Sequence, residues 1–413
     1  MSAIPKHWEI RRLKFMANIQ NGRDYKEVES DEGFPVIGSG GQFTFASEFL
    51  YDGESVLFGR KGTIDKPLHI NGKFWTVDTM FYSIISQDVF GRYLYYFSTI
   101  FQYEKLATQT ALPSITQYDL GNYLLCYPYL NEQKAIANFL DHKTAQVDRL
   151  IEKKQEFIGK LQEMRRAFIT HAVTSGIENG VTMKDPDIEW LGAIPAHWRT
   201  SKLKFESTIV DCKNRTPEYF PDGEYLVVRT SNVRNGELLT EPALHTDQEN
   251  FEEWTKRGIP PAGSILFTRE APAGEVCLVP AEIKLCLGQR MMNFIIDDHA
   301  MTEFILYFLM SNKFQQYIEA ESSGSTVTHL RVEQVHNIPV CLPESREAEK
   351  IVSKIKCIEG RCFSLIQHAE AAIARLQEYR TALITAAVTG QIDIRDWQAP
   401  AAAEASEQDK EVA

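Results

Sequence analysis

Apolar residues recur at alternating steps of four and three along two separate stretches of the chain. Starting from Ile136, eight of ten such positions are apolar, and starting from Ile351 all ten are apolar or small. A 3.5-residue repeat held over about five heptads, with no internal proline, is typical of a coiled coil. We therefore predict two long helices that pair through this seam. Its predicted members are Ile136, Leu140, Val147, Leu150, Phe157, Leu161, Ile351, Ile355, Leu365 and Leu376.

Prolines and glycines mark the ends of both predicted helices. Pro128 and Pro343 precede the two seams, and Gly176 and Gly390 follow them, as expected where helices start and stop. A whole domain separates the helices in sequence, so the chain can return and lay the second helix antiparallel to the first. The alternative is two separate amphipathic helices, each packed on its own domain.

Two pairs of similar strings indicate that the chain is a tandem duplication. IPKHWEIRRLKF at 4–15 returns as IPAHWRTSKLKF at 194–205, and LQEMRRAFITHAVTSGI at 161–177 returns as LQEYRTALITAAVTGQI at 376–392. Such self-similarity is the sequence signature of repeated structural units. We expect the His-Trp pair of the first string to anchor the start of each unit, Trp by burial and His by a hydrogen bond.

The segments outside the helices combine short β-rich runs, glycine and proline turns and helical aromatic stretches, which is typical of mixed α/β domains. The predicted fold class is α+β: two tandem mixed α/β domains separated by two long helices that form an antiparallel coiled coil, with a pseudo-twofold repeat. The predicted boundaries are 1–130 for the first domain, 131–176 for the central helix, 177–343 for a linker and the second domain, 344–392 for the second helix, and 393–413 for a disordered tail.

Composition adds restrictions on location and ligands. The 413 residues are 44% hydrophobic and 24% charged, and we find neither a signal peptide nor an apolar run long enough to cross a bilayer, so we expect a cytoplasmic protein without membrane contact. The net charge of −12 argues against indiscriminate nucleic-acid binding, although most of the acidity lies in residues 176–345. The seven cysteines are scattered without a C-x-x-C pair, so neither disulfides nor a zinc site are predicted.

Motifs for catalysis are scarce. The chain lacks the G-x-x-x-x-G-K-[ST] phosphate loop and the Asn/Asp-Pro-Pro-aromatic motif of methyltransferases that act on base amines. A metal-dependent nuclease could be assembled from Pro221, Asp222, Glu282 and Lys284, since such enzymes gather carboxylates around a cation. However, Pro-Asp-Gly is above all a turn sequence. We predict no catalytic residue, no metal and no cofactor, and we keep the nuclease as an alternative.

The paired IP-x-HW and LKF strings, together with the P-x-x-x-E-[Q/A]-x-x-I motif that starts at Pro128 and again at Pro343, resemble the specificity subunits of type I restriction-modification systems. The resemblance covers residues 4–392. It implies that each variable segment is a target recognition domain and that the helices form the spacer between them. It further implies a non-catalytic subunit whose partners are double-stranded DNA, two methyltransferase subunits and motor-nuclease subunits. A protein scaffold without DNA readout is the other alternative.

Polar and basic side chains on loops between strands are the candidates for DNA contact, because such side chains bind phosphates and base edges. The strongest group is Arg60, Lys61 and Thr63 in LFGRKGTIDK, where flanking glycines allow close backbone approach. The second copy, LFTREAPAG, has Glu270 in place of Lys61, which suits a reader of a different sequence. The full predicted set is Ser39, Gln42, Arg60, Lys61, Thr63, Lys73, Arg229, Ser231, Asn232, Thr268, Arg269, Gln289 and Arg290. The alternative for each is a solvated loop or turn residue.

Overall fold

The structure is a computed structural model in which the described residues are 4–108, 110–213, 215–321, 329–395 and 397–398. The tail predicted for residues 393–413 lies outside them, except for 393–395 and 397–398. In the part of the chain that is described, no helix is both long and apolar enough to span a membrane.

The chain divides into two compact units. The first unit contains the described residues up to Gln155 together with those from Glu370 onwards, and the second contains Glu156–Ala369. Each unit therefore combines one α/β domain with parts of both long helices.

The first unit begins with an α/β domain that leads into the first long helix. Its elements are β1 Glu9–Arg12, β2 Ala17–Asn21, β3 Glu29–Ser30, β4 Phe34–Gly38, β5 Gly41–Ala46, β6 Tyr51–Asp52, β7 Ser55–Gly59, β8 Leu68–Ile70, β9 Lys73–Thr76, β10 Met80–Ile85, α1 Gly91–Ser98, α2 Tyr103–Leu106, α3 Gln117–Gly121, β11 Leu124–Tyr127 and α4 Leu130–Ser175.

Two sheets form most of this domain. One is antiparallel with the order β2-β10-β7-β8, and the other has the order β3-β5-β4-β9-β6, in which β4 and β9 are parallel. The apolar run Val56 to Phe58 of β7 is buried, as expected for a strand with a neighbour on each side. Helix α1 packs on β7 and β8 and adds Tyr93 and Phe97 to the same core.

The second unit repeats this order with insertions. Its elements are β12 Met183–Lys184, β13 Ile194–Pro195, β14 Arg199–Lys202, α5 Leu203–Glu206, β15 Thr208–Asp211, β16 Tyr225–Val228, β17 Val233–Arg234, β18 Glu237–Leu238, β19 His245–Thr246, α6 Gln248–Trp254, β20 Ile265–Arg269, β21 Ala273–Leu278, β22 Leu285–Leu287, β23 Met291–Ile295, α7 His299–Leu309, α8 Asn312–Glu321, α9 Val332–His336, β24 Pro339–Leu342 and α10 Ser345–Val388.

The second domain repeats the four-stranded sheet of the first and the parallel pair of its other sheet, which has three strands in place of five. An antiparallel sheet has the order β15-β23-β20-β21, and a second sheet has the order β19-β16-β22, in which β16 and β22 are parallel. The pair β14-β24 corresponds to β1-β11. The duplication seen in the sequence therefore extends to the strand order of the four-stranded sheet and to this two-stranded pair.

The predicted ends of the long helices are confirmed. Helix α4 begins two residues after Pro128, and α10 begins two residues after Pro343. Gly176 directly follows α4 with φ of +78°, and Gly390 lies just beyond α10 with φ of +73°. Both glycines occupy the left-handed region that commonly terminates a helix.

In the first unit, the start of α4 packs against the end of α10. Ile136 and Val388 lie in one buried core. Further along, Arg380 Nε donates to Asp148 Oδ1 at 2.9 Å. Residue numbers rise along α4 as they fall along α10, so the two helices are antiparallel in this unit.

The second unit repeats the pairing with the opposite helix ends. Val173 near the end of α4 shares a core with Ile351 near the start of α10. Arg165 Nε donates to Glu359 Oε1 at 2.8 Å. The predicted architecture of two α/β domains with an antiparallel helix pair is confirmed, and the alternative of two helices that pack only on their own domains is not observed.

Burial varies along the predicted seam. The buried members are Ile136, Leu140, Val147, Leu161, Ile351 and Ile355, and Leu150 and Leu376 are half-buried. Phe157 and Leu365 retain 42% and 46% of their surface. The exposed members alternate with buried ones near the middles of the helices, where Leu161 and Cys362 are buried. The heptad period alone therefore overstates the burial of Phe157 and Leu365.

In each unit, the histidine of the IP-x-HW string forms a hydrogen bond with the glutamate of the motif that starts a long helix. His7 Nε2 lies 3.0 Å from Glu132 Oε2, and His197 Nε2 lies 2.8 Å from Glu347 Oε2. The tryptophan that follows each histidine is buried, as predicted. Both glutamates belong to the motif that opens a long helix, so each His-Trp pair fixes the start of an α/β domain to that helix.

The cysteines behave as small apolar residues. All except Cys357 are buried, and none of the seven forms a disulfide. Burial raises the pKa of Cys277, Cys286 and Cys341 to about 12. These three thiols therefore stay protonated at neutral pH and contribute to packing.

Candidate nucleic-acid interface

Three backbone segments of the first unit meet at one end of the β2-β10-β7-β8 sheet. Arg60 N donates to Thr79 O at 2.8 Å, and Ile115 N donates to Arg60 O at 3.0 Å. Lys61 and Ser114 form an isolated antiparallel bridge. We call this meeting point, formed by residues 59–63, 77–79 and 113–115, the first loop junction.

The hairpin between β4 and β5 lies beside the first loop junction. Strand β4 is parallel to β9, so their carboxyl ends emerge at the same edge of the sheet. Val77 N donates to Ile37 O at 3.3 Å, and Thr76 Oγ1 donates to the same oxygen at 2.9 Å. The predicted residues Ser39 and Gln42 on this hairpin are therefore brought to the same end of the domain as Arg60.

Two glycines allow the tight path of the loop after β7. A Cβ atom on Gly59 would lie 2.1 Å from Thr63 O, far closer than two such atoms can approach. Gly62 has φ of +80°, a conformation that residues with side chains rarely adopt. The loop folds back on the end of its own strand, and the residues between the glycines project from it.

The polar side chains of this loop differ in their exposure and in their contacts. Lys61 and Thr63 are exposed. Arg60 is half-buried, and its Nη1 donates to Asp78 O at 3.3 Å while its Cζ lies 5.9 Å from the centre of the Phe81 ring. Arg60 is therefore held in place, whereas Lys61 and Thr63 can adjust to a ligand.

The second unit contains the same backbone junction. Arg269 N donates to Arg290 O at 2.9 Å, and Leu330 N donates to Arg269 O at 2.9 Å. Glu270 and His329 form an isolated bridge, as Lys61 and Ser114 do in the first unit. Residues 268–271, 288–291 and 329–331 form the second loop junction.

A parallel strand pair also ends beside the second loop junction. Gly288 N donates to Val228 O at 2.8 Å, where the carboxyl ends of β16 and β22 lie side by side. This contact brings Arg229 and the exposed Ser231 next to the segment that carries Gln289. Four of the predicted residues of this unit, Arg229, Ser231, Gln289 and Arg290, are thus assembled at one end of the domain.

The two junctions present different chemistry on the same backbone. Glu270 Oε2 lies 2.5 Å from Arg290 Nε and 3.3 Å from His329 Nδ1. The equivalent position in the first junction is the cationic Lys61. The first junction therefore offers an exposed cation, and the second offers a carboxylate shared between two basic side chains.

Two predicted DNA contacts in the second unit are corrected by the structure. Thr268 is fully buried, and its Oγ1 donates to Pro272 O at 2.6 Å. Arg269 is 5% exposed, with its Nη2 lying 3.7 Å from Asp211 Oδ1. Both residues belong to β20, so their side chains serve the interior, and only the backbone of Arg269 takes part in the junction.

Two further predicted residues do not present a free side chain at a junction. Asn232 is fully buried, and its Nδ2 donates to Leu239 O at 2.9 Å, so its assignment to DNA readout is corrected. Lys73 is exposed but lies at the start of β9, at the other end of that strand from the first junction. Its Nζ lies 4.8 Å from the ring of Phe49 and 5.7 Å from that of Phe34.

A hydroxyl cluster at the first junction was not predicted from the sequence. Thr108 Oγ1 lies 3.0 Å from Ser114 Oγ and 3.3 Å from Thr110 Oγ1. The available signal was the hydroxyl-rich run ATQTALPS at 107–114, which follows α2. Residues 322–328, which precede His329 in the second unit, lie outside the described residues.

The nuclease alternative requires carboxylates gathered around a cation. Within the described ranges, no group of three or more His, Cys, Asp or Glu residues is placed to hold a metal ion. Asp222 and Glu282 are both exposed, and neither belongs to such a group in the part of the chain that the structure describes.

A chain built from two such units is a duplicated α/β binding protein, in which each unit presents a polar junction of loops at one end of a sheet. Comparison with a family model identifies the family. The model of the type I restriction modification DNA specificity domain matches residues 5–159 and 198–375, and the chain belongs to this family.

Curated relatives are similar over much of the chain at low identity. The putative type I restriction enzyme MjaX specificity subunit of Methanocaldococcus jannaschii is 22% identical over 285 residues, which are 68% of this chain and 62% of that protein. The chain thus matches less than two thirds of that relative. The type I restriction enzyme EcoBI specificity subunit of Escherichia coli is 21% identical over 431 residues, covering 96% of this chain and 88% of that protein.

Solved structures share the fold. A chain from work on complex assembly and conformational transition of the type I R-M system superposes with a TM-score of 0.70 at 16% identity, covering 95% of this chain and 100% of that one. The crystal structure of the HsdS subunit from Thermoanaerobacter tengcongensis gives 0.50 at 16% identity, covering 94% of this chain and 98% of that one.

Proposed function

We propose that the protein is the sequence-specific DNA-binding subunit of a type I restriction-modification complex. Each unit reads one part of a bipartite double-stranded site through its loop junction. The chain itself is non-catalytic. It positions two methyltransferase subunits and, in the full complex, motor-nuclease subunits.

The observation that carries this proposal is one backbone arrangement with two sets of side chains. Both loop junctions share the same pattern of backbone hydrogen bonds, but Lys61 in the first corresponds to Glu270 in the second. Lysine binds phosphates and guanine edges, while a carboxylate accepts from cytosine N4. A common scaffold with different polar side chains suits two readers of different sequences.

The acidic balance of the chain is compatible with this function if phosphate contacts are shared with partners. Phosphate neutralisation dominates the affinity of DNA-binding proteins, and a net charge of −12 supplies little of it. The isolated chain should therefore bind DNA weakly. In this proposal the methyltransferase subunits provide much of the remaining contact and accept the flipped base.

A domain exchange tests the proposal. Residues 1–130 are replaced by the matching segment of a relative, the chimera is produced with the methyltransferase subunits, and methylated bases are mapped across a genome. We expect one half-site to change and the other to stay. The matched exchange of residues 177–343 should change the other half-site instead.

Each alternative predicts a different result. A scaffold without DNA readout predicts that neither exchange alters the methylated sequence. A nuclease predicts metal-dependent cleavage by the purified chain alone, lost in Glu282→Ala. Our proposal predicts no cleavage by the isolated chain, and an unchanged methylation pattern in Glu282→Ala.

A further inference from the structure

Each unit exposes two basic side chains and a phenylalanine at the end of its first repeated string. We call these residues the basic-phenylalanine patches: Arg12, Lys14 and Phe15 in the first unit, and Lys202, Lys204 and Phe205 in the second. Phe15 is 64% exposed and Phe205 is 72% exposed. The lysine lies over the neighbouring ring in both, with Nζ 5.4 Å and 5.2 Å from the ring centre.

The fold explains the neighbouring leucines but not the phenylalanines. Leu13 and Leu203 are fully buried, and their amides donate to Tyr123 O and Ile338 O at 2.9 Å. The phenylalanine two positions later contributes little to either core. An isolated exposed apolar residue is ordinary, but the same exposed ring at the same place in both units calls for a common cause.

The surroundings of the two patches have diverged while the patches have not. The residue after the phenylalanine is Met16 in the first unit and Glu206 in the second, and two positions before the shared leucine stand Arg11 and Ser201. The loop junctions also differ in side chains, as expected for readers of different sequences. A surface that stays alike in both units suits a ligand that is the same for both.

The patches lie at the opposite end of the sheet from the loop junctions. In the first unit, β2 starts with Ala17 opposite Ile85 and ends with Asn21 opposite Phe81, next to the junction residue Thr79. Strands β15 and β23 repeat this arrangement in the second unit. A strand of five residues spans about 17 Å, so a patch is well separated from the junction of its own unit. This placement favours a protein ligand over a DNA base.

The positive charge of the patches indicates which kind of ligand surface they fit. Within the described residues, no side-chain carboxylate forms an ion pair with any of the four cations of the patches. The nearby acid Glu206 is already paired with Arg199. Arg12 Nη1 donates to the neutral Asn122 Oδ1, at 3.3 Å. Cations without a carboxylate partner around an exposed aromatic ring are complementary to a segment in which acidic side chains flank an apolar residue.

We propose that each basic-phenylalanine patch binds one copy of the same partner protein through such an acidic and apolar segment. This inference rests on the proposed function, in which the partner present in two copies is the methyltransferase subunit. The phenylalanine supplies the apolar anchor. The lysine and its basic neighbour orient the partner by charge.

Partner stoichiometry tests the inference. The full chain is mixed with the methyltransferase subunit of its own system, and complexes are weighed by native mass spectrometry. Phe15→Ala and Phe205→Ala should each bind one partner at concentrations where the wild-type chain binds two, because loss of an interface anchor weakens affinity by roughly 30-fold or more. The double variant should bind none. Phe363→Ala, which removes a ring that is 62% exposed on α10, should bind two.

Charge and DNA provide the remaining controls. Lys14→Glu with Lys204→Glu should weaken partner binding most at low salt, since the attraction is screened by ions. Circular dichroism and unfolding midpoints of the variants should match the wild-type chain. DNA binding by the isolated chain should be unchanged in the Phe15→Ala, Phe205→Ala double variant.

Failure of this inference is distinguishable from failure of the proposed function. If the wild-type chain and the double variant both bind two partners, the patches are not the docking surface and the proposed function stands. Loss of DNA binding in the double variant would reassign the patches to DNA. If the wild-type chain binds no methyltransferase subunit at all, the proposed function and this inference both fall.

Discussion

Arg92 on α1 and Asp141 on α4 form an ion pair with a nitrogen to oxygen distance of 2.7 Å. The corresponding contact in the second unit joins α7 to α10 with the charges exchanged, because Glu303 lies on α7 and pairs with Lys356 on α10. An α/β domain placed on the wrong helix would meet a like charge. The exchanged charges therefore distinguish two docking positions that are otherwise similar, because the wrong pairing is repulsive.

Reversing one partner of this ion pair should destabilise the first unit. We expect Asp141→Lys to lower the free energy of unfolding and the double variant Arg92→Glu, Asp141→Lys to recover part of the loss, since the second unit already uses that charge order. Both side chains are about one-third exposed or more, so the coupling should be about 1 kcal/mol or less. A double-mutant cycle by urea unfolding measures it, and additive effects of the two changes would contradict the expectation.

Glu54 secures the start of α1 in the same unit. His69 Nε2 lies 2.8 Å from Glu54 Oε1, and this hydrogen bond is the largest cause of a lowered Glu54 pKa, with further lowering by the backbone amides of Gly91 and Arg92 and opposition from burial. A Cβ atom on residue 91 would lie 2.3 Å from Glu54 Cδ. Glycine at this position therefore lets the carboxylate reach the amino end of the helix.

Glu54 should stabilise the fold in a pH-dependent way. Its pKa is lower in the folded than in the unfolded state, so its contribution is present above its ordinary pKa and is lost as the pH falls through the folded value. We expect Glu54→Gln to lower the free energy of unfolding at pH 7 by about 1.5 kcal/mol. The difference from the wild-type protein should shrink below about pH 4. Urea unfolding at both pH values measures this, and an equal loss at each pH would contradict it.

Gly91→Ala provides a second test of the same contact. The added methyl group collides with the Glu54 carboxylate, so the variant should lose stability even though alanine favours helices more than glycine does. In a Glu54→Gln background the collision remains while the charge is gone. The stability lost on Gly91→Ala should therefore depend less on pH in the Glu54→Gln background than in the wild-type background. The same unfolding experiment measures this and separates the effect of the collision from the effect of the charge.

Lys61 and Lys73 form a matched pair for testing the first loop junction. Both are exposed lysines of the first unit, but only Lys61 lies at the junction. We expect Lys61→Ala to reduce methylation at the half-site read by the first unit by roughly tenfold, given that a base contact is worth about 1–3 kcal/mol. Lys73→Ala should have little effect. Methylation rates on variant half-sites measure both, and equal effects of the two changes would indicate a general charge effect.

The long helices were predictable because their signals are local. A heptad seam, a preceding proline and a following glycine each depend on neighbours in sequence, and the bounds of α4 and α10 match them. The tight loop around Lys61 was also predictable, since flanking glycines mark close backbone approach. The exposure of Phe157 was not, because the heptad period marks a face of the helix but not which residues of that face are covered by the rest of the fold.

The errors at the second junction have a long-range cause. Arg269 and Thr268 were assigned by their place in the repeat, which assumes that equivalent positions have equivalent exposure. The side chain of Arg269 turns toward Asp211 on β15, 58 positions earlier in the chain. The β20-β21 register also shifts next to Arg269. Neither the partner strand nor the shift is visible in the local pattern, and the link between Lys61 and Ser114 is non-local in the same way.

The length of the helices offers a final test of the proposed bipartite readout. Each long helix contributes to both units, so we expect their length to set the gap between half-sites. Seven residues inserted after Gln155 and seven after Ala369 lengthen each helix by about 10 Å, close to three base pairs of DNA. Sites with a gap about three base pairs longer should then be methylated better than the original sites. The same seven residues added to the carboxyl terminus should change nothing. An unaltered gap preference in a folded, partner-binding double insertion would rule out the helices as the element that sets the spacing.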